Sequence, residues 1–163
     1  MSTGKRIQER DVVIQTIAKL MIPFIQLYGL YVMVGTEGAG GGFQGGTVLA
    51  ASFILLVVAF GVDKGRMKMP EGWNAIFKSL GLYLYAGVGG LLCIILSLGA
   101  AEYLNYYGIP LAKIIGGPAT RGFWVGNIVE VGIGVTVMAA FVSIFYDLVR
   151  KEESVEEEGG AEK

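Results

Sequence analysis

Histidine is absent from the sequence and cysteine occurs once, at Cys93, so the side chains that most often bind metals or relay protons are almost missing. A single cysteine forms no disulfide within the chain, and no cage of imidazole or thiolate groups can hold a metal ion. The net charge of −1 gives no strong field for binding nucleic acid. We therefore predict no metal, no cofactor and no nucleic-acid partner, and we interpret Cys93 as a small buried hydrophobic residue.

Charged residues are scarce as well, at 17% of the chain, whereas 53% of the residues are hydrophobic and the mean hydropathy is +0.59. A soluble domain has about 25% charged residues. A helix needs about 20 apolar residues to cross a membrane, and four stretches meet or approach this length: residues 12–34, 46–62, 79–100 and 123–146. We predict an all-α, polytopic membrane protein with one four-helix domain over residues 1–150 and a disordered acidic tail over residues 151–163.

Lysine and arginine are distributed unequally about the four predicted spans. One side carries Lys5, Arg6, Arg10, Lys64, Arg66, Lys68, Lys78, Arg150 and Lys151, and the other side carries Lys113 and Arg121. Cytoplasmic loops of membrane proteins are enriched in these two residue types. The distribution therefore predicts that both termini lie in the cytoplasm.

Lys19 is one of two charged residues inside the predicted spans. Gln15, Lys19, Pro23 and Gln26 recur every three or four residues, so they form a polar stripe along the first helix, and Pro23 is expected to kink it. Lysine can extend its ammonium group to the membrane surface; the alternative is that Lys19 faces protein or water and has a counter-charge. The stripe favours the second interpretation and makes Lys19 and Gln26 candidates for an ion pathway.

Glu130 is the second charged residue within a span, and its side chain is too short to reach the membrane surface easily. It belongs to a series spaced by four residues, Gly122, Gly126, Glu130 and Gly134, and Asn127 lies beside it. Small residues at this spacing allow another helix to approach closely. We therefore expect Glu130, with Asn127, to form a buried candidate site for a proton or a cation. We hypothesise that Glu130 faces a partner subunit; a pair with Lys19 and a structural hydrogen bond remain open alternatives.

Glycine is abundant, with 26 residues, and is concentrated in residues 35–46, which read GTEGAGGGFQGG. A phosphate-binding loop requires a preceding strand and a following lysine, which the flanking sequence does not offer. A flexible loop outside the membrane is a second interpretation. However, the span over residues 46–62 is only about 25 Å long as a helix, which favours an irregular, partly membrane-embedded segment packed against protein. In that arrangement Phe43 wedges into a neighbour and Gln44 bonds to free backbone groups.

Two stretches resemble the MnhB/MrpB-like family. Its members are small membrane subunits of the Mrp-type multisubunit Na⁺/H⁺ antiporters, and related subunits occur in membrane-bound hydrogenases and similar ion-pumping respiratory complexes. The two stretches are IPFIQLYGLYV at residues 22–32 and GGGFQGG at residues 40–46, and the resemblance extends over about residues 11–145. The motif residues are Gly40, Gly41, Gly42, Phe43, Gln44, Gly45 and Gly46. The family usually has a proline before the three glycines, where this chain has Ala39.

The resemblance implies a non-catalytic, four-helix membrane subunit that helps to translocate Na⁺ and H⁺ in a larger complex, in the cell membrane of a prokaryote. Its partners would be the other membrane subunits, which would carry most of the antiport or redox chemistry. A stand-alone homo-oligomeric transporter or channel and a purely structural subunit are the alternatives. An independent membrane enzyme is disfavoured because the sequence has no cluster of acids or histidines facing one interface.

Overall fold

The computed structural model describes residues 2–34, 40–96, 103, 113–114 and 116–161, and every regular element in these ranges is helical. In chain order the elements are α1 (Ser2–Met33), α2 (Gly42–Phe60), α3 (Val62–Lys68), α4 (Glu71–Leu82), a π-helical segment (Tyr83–Leu91), α5 (Leu92–Leu96), α6 (Gly117–Trp124), a second π-helical segment (Val125–Val129) and α7 (Glu130–Ala161). The all-α prediction is confirmed.

Three helical stretches in these ranges are long and apolar enough to cross a membrane: Val12–Met33, Gly42–Phe60 and Gly117–Arg150. They correspond to the first, second and fourth predicted spans. The predicted span over residues 79–100 falls on α4, the first π-helical segment and α5, and its last four residues lie outside the described residues. The described residues thus contain three candidate membrane-spanning helices, and the four-span topology with cytoplasmic termini stays a prediction.

The second spanning helix begins earlier than predicted. α2 starts at Gly42 rather than at residue 46, so the last five residues of the glycine motif form its first turn, and Gly40 and Gly41 precede it. With 19 residues the helix is about 29 Å long, so the apparent shortness of this span disappears. The prediction of an irregular segment is wrong for residues 42–46, because these glycines lie within a helix and pack against other helices. Residues 35–39, including Ala39, lie outside the described residues.

The core lies where α1, α2, α4 and α7 pack together, with the most extensive contacts between α1 and α2, α2 and α7, and α4 and α7. Its buried members are Met33, Leu49, Ala50, Val57, Met69, Met138, Val142 and Tyr146. The opposite face of α1 exposes large apolar side chains such as Leu20, Phe24 and Tyr31. Exposed apolar side chains in such number are typical of a surface that contacts lipid or other membrane proteins.

α1 is one helix that includes Pro23, and the kink expected at that residue stays a prediction. The helical backbone of α7 extends to Ala161, and the disorder expected for the acidic tail also stays a prediction. Cys93 lies in α5, a short helix whose other residues are leucine and isoleucine.

Candidate functional site

The carboxylate of Glu130 caps α2 from a different helix. The backbone N–H of Gly42, the first residue of α2, donates a hydrogen bond to Oε2 of Glu130 over 2.6 Å, across 88 positions of the chain. Glu130 is the first residue of α7 and is only 8% exposed. The first N–H groups of a helix have no partner within the helix, and its N-terminal end is positive. A carboxylate at this position therefore stabilises the start of α2.

Gly42 permits this bond because it has no side chain. A Cβ atom at this position would lie 2.6 Å from the carbonyl oxygen of Glu130 and would also overlap its carboxylate. Any other residue at position 42 would push α2 away from Glu130. The first glycine of the helix thus determines that a backbone N–H, and not a side chain, meets the carboxylate.

Gly45 and Gly46 bring two further backbones against α2. A Cβ atom at Gly45 would lie 2.6 Å from the carbonyl oxygen of Gly29 in α1, and one at Gly46 would lie 2.5 Å from the carbonyl oxygen of Gly134 in α7. Small residues allow membrane helices to approach to backbone contact, where van der Waals packing replaces the hydrophobic driving force. The glycine motif is therefore the point where α1, α2 and α7 converge.

Met33 fills the remaining space at this convergence. It is 2% exposed, and its Sδ atom would lie 2.7 Å from a Cβ atom at Gly134. We name the contact formed by Gly29, Met33, Gly42, Gly45, Gly46, Glu130 and Gly134 the glycine junction. Its one ionisable member is Glu130, which is buried and accepts the hydrogen bond from Gly42.

The location of Glu130 bears on two expectations. Its carboxylate accepts a hydrogen bond from Gly42 in α2 of its own chain, and the hypothesis that Glu130 faces a partner subunit stays a prediction. The series of four-residue spacings does not form one packed face, because the π-helical segment Val125–Val129 interrupts it and a Cβ atom at Gly122 would meet nothing within 4 Å. The i→i+5 hydrogen bonds of a π-helix change the direction in which successive residues point.

Lys19 has a different environment. It is exposed, and its Nζ atom lies 5.5 Å from the centre of the Phe60 ring at the other end of α2. The structure does not bring Lys19 to Glu130, so the alternative in which these two residues pair is not realised. The two charged residues inside the predicted spans therefore have different neighbours: Lys19 lies near Phe60, and Glu130 binds the N–H group of Gly42.

The other candidate residues are spread over the structure. Gln26 is half-buried in α1, and Asn127 is exposed, with its Nδ2 atom donating to the carbonyl oxygen of Phe123 over 3.1 Å. Phe43 is 60% exposed, and its ring lies edge-on to the ring of Phe141 in α7 at 6.2 Å between centroids. Gln44 is exposed. Phe43 thus contacts α7 through its ring, whereas the glycines of the motif make close backbone contacts.

A second contact between helices is not indicated by any motif in the sequence. A Cβ atom at Gly81 of α4 would lie 2.7 Å from the carbonyl oxygen of Gly132 in α7. Further along these helices Ser143 Oγ accepts hydrogen bonds from Asn74 Nδ2 over 2.6 Å and from Lys78 Nζ over 2.9 Å. The spacing of Asn74 and Lys78 by four residues is the signal that both face one side of α4.

The chemistry available at the glycine junction is that of a single buried carboxylate. Such a group can bind a proton, or contribute one ligand to a cation that is otherwise coordinated by backbone oxygens. No group of three or more His, Cys, Asp or Glu side chains within the described ranges is placed to hold a metal ion.

Comparison with known proteins gives one family. The sequence matches the family described as "Domain related to MnhB subunit of Na+/H+ antiporter" over residues 13–143. Proteins of Staphylococcus aureus strains Newman, JH1 and COL, each named as antiporter subunit mnhB2, are 38% identical to the chain over 64 residues. That segment is 39% of this chain and 45% of each relative, so the match spans less than half the length of these proteins. No solved structure matches the chain.

The family match covers about four fifths of the chain. It overlaps all three candidate spanning helices. It also includes the glycine junction, whose residues lie between Gly29 and Gly134. The resemblance that the motif residues indicate is thus confirmed. The chain belongs to the MnhB-related family of Na⁺/H⁺ antiporter membrane subunits.

Proposed function

We propose that the chain is a non-catalytic subunit of a multisubunit cation/proton antiporter and contributes directly to Na⁺ and H⁺ translocation through the glycine junction. The observation that carries the proposal is the buried carboxylate of Glu130 at the N-terminus of α2. Ionisable residues within membrane spans are costly, so those that occur mark ion and proton pathways by default. Lys19, Gln26 and Asn127 remain candidate residues of the same pathway outside the junction.

The hydrogen bond from Gly42 suggests how ion occupancy acts on the protein. The positive end of α2 attracts a carboxylate, and a proton or Na⁺ bound to Glu130 weakens that attraction because it neutralises the charge. Ion binding would then loosen α2 from α7 at the junction, while Gly45 and Gly46 keep the three backbones close. The exposed face of α1 would contact other membrane subunits of the complex.

We further propose that residues 79–100 form a fourth span and that both termini lie in the cytoplasm of a prokaryotic cell. The distribution of lysine and arginine supports this topology. The parent complex is either a plain antiporter or a related respiratory complex such as a membrane-bound hydrogenase. The genes beside this one discriminate between them, since hydrogenase subunits would accompany only the second.

The test is Glu130→Gln in the intact complex, with Na⁺/H⁺ antiport measured in inverted membrane vesicles and assembly measured by co-purification. Glutamine keeps an oxygen acceptor for Gly42 but cannot take up a proton or provide a negative charge. We expect normal assembly and at least about tenfold slower antiport, the loss of about 1.4 kcal/mol of transition-state stabilisation. Asp147→Asn, an exposed carboxylate on the same helix, is the matched control and should keep full antiport.

A purely structural role predicts a different result. If Glu130→Gln assembled and transported at the rate of the unchanged protein, Glu130 would be a helix cap and nothing more. A stand-alone transporter would be indicated if the chain alone, purified as a single band, catalysed transport after reconstitution. Either outcome would remove the proposal.

A further inference from the structure

The middle of α1 and the C-terminal end of α2, which lies away from the glycine junction, border with α3 a groove of about 410 Å³. We name it the lysine groove. Three lysines line it, Lys19 from α1 and Lys64 and Lys68 from α3, and all three are exposed. The proposed transport function uses none of this surface except Lys19 as a candidate.

Two of the lysines share one aromatic ring. The Nζ atoms of Lys19 and Lys64 lie 5.5 Å and 5.6 Å from the centre of the Phe60 ring, within the range of cation–π attraction. Two positive charges thus lie beside one ring, and like charges repel. None of the described side chains that line the groove is acidic. An anion at the mouth of the groove would therefore relieve this repulsion.

The deeper part of the groove is apolar. Ile22 lies one turn beyond Lys19 toward the middle of the span, and Leu56 lies one turn before Phe60 on the neighbouring helix. The groove therefore has a cationic mouth at the end of α2 and an apolar floor between α1 and α2. A free inorganic anion would use only the mouth, and a neutral hydrocarbon would use only the floor.

We propose that the lysine groove binds an anionic phospholipid. The phosphate group lies between Lys19 and Lys64, with Lys68 nearby, and one acyl chain follows Ile22 and Leu56 into the span. Basic pockets between membrane helices bind anionic headgroups because each lysine near the membrane surface adds electrostatic attraction. A zwitterionic lipid provides no net negative charge for the three lysines. The volume of the groove falls in the usual range for binding sites, about 300–1,000 Å³.

The test uses the intact complex in phosphatidylcholine vesicles that contain a small fraction of phosphatidylglycerol with a photoreactive acyl chain. After irradiation, peptide mass spectrometry locates the labelled residues. We expect label on the helix ends that carry Ile22, Leu56 and Phe60, and much less label when the photoreactive lipid is phosphatidylcholine with the same acyl chain. This comparison uses the unchanged protein and does not depend on the folding of a variant.

Variants identify the charges. Lys19→Gln with Lys64→Gln should reduce labelling, by about fivefold for each lysine removed, whereas Lys19→Arg with Lys64→Arg should keep it. Lys113→Gln, an exposed lysine outside the groove, is the matched control and should label as the unchanged protein does. The proposal does not depend on transport, so antiport activity is not its readout.

Several results would overturn the lipid assignment. Equal labelling by both photoreactive lipids would show that charge does not select the occupant. Displacement of phosphatidylglycerol by millimolar inorganic phosphate would indicate a free-anion site. A carbodiimide cross-link between Lys64 and a carboxylate of another subunit, with no lipid label, would show that the groove is a subunit interface.

Discussion

The glycine junction and the lysine groove lie at opposite ends of α2, and they accommodate charge in opposite ways. At the junction, glycines let three backbones touch, and one buried carboxylate accepts a hydrogen bond from an N–H group of the neighbouring helix. At the groove, long side chains and the Phe60 ring line the space between the helices, and the lysines stay exposed. A short acidic side chain must find its partner inside the protein, whereas a long basic one can remain at the surface.

The largest effect on stability is expected from a side chain that keeps the backbones of the glycine junction apart. Gly45→Ala would place a Cβ atom 2.6 Å from the Gly29 carbonyl oxygen and 2.8 Å from the Met33 backbone nitrogen. Neither backbone atom can move without separating α1 from α2, so we expect a destabilisation of about 3 kcal/mol, the upper end of the usual range for overpacking. The midpoint of thermal loss of monodisperse protein, measured in detergent, should fall.

Gly72→Ala is the matched control for that substitution. A Cβ atom at Gly72 would meet nothing within 4 Å, and alanine favours a helix more than glycine does. Its thermal midpoint should be unchanged or higher. Equal destabilisation by both alanines would mean that the close approach at Gly45 contributes nothing to stability.

An intermediate effect on stability is expected from removing the carboxylate of Glu130, which accepts the hydrogen bond from Gly42, while the helix backbones stay in place. Glu130→Ala leaves the Gly42 N–H buried without its carboxylate partner, which should cost about 1–3 kcal/mol. Glu130→Gln keeps an oxygen at that position and should lose less. Thermal midpoints should therefore follow the order unchanged protein, glutamine variant, alanine variant. If the glutamine and alanine variants were equally stable, the hydrogen bond to Gly42 would not be what holds α2 to α7.

The smallest effect is expected at the lysine groove, where the charges are exposed. Phe60→Leu removes the ring that lies 5.5 Å from Lys19 Nζ and 5.6 Å from Lys64 Nζ, and exposed cation–π contacts contribute about 0.5–1 kcal/mol. A double-mutant cycle with Lys64→Gln isolates the coupling between the two residues. A coupling of zero would leave the ring without a role in positioning the lysines.

Much of the membrane architecture follows from the sequence. Apolar runs of about 20 residues have few alternatives to a spanning helix, because unpaired backbone groups and charges are costly in lipid. The same cost identifies Lys19 and Glu130 as the two residues that need an explanation. The first predicted span, residues 12–34, agrees with the helical stretch Val12–Met33 to within one residue. The fourth, residues 123–146, lies entirely within Gly117–Arg150.

The partners of these residues do not follow from the sequence. The residue that meets Glu130 is 88 positions away, and its contribution is a backbone N–H, which every residue except proline possesses. Spacing by four residues predicts a packed face only for a regular α-helix, and Val125–Val129 is π-helical. No local signal in the sequence therefore predicts that Glu130 meets the start of α2.

Composition and hydropathy are enough to specify a helical membrane protein with an excess of glycine and two intramembrane charges, because the transfer of side chains into lipid depends on residue type alone. Which helices those glycines bring together depends on the packing of α1, α2 and α7, since close approach requires complementary surfaces on all three. The packing therefore converts Gly42 from one glycine among 26 into the donor for Glu130. It also leaves Lys19 at the opposite end of α2, beside a ring that it shares with Lys64.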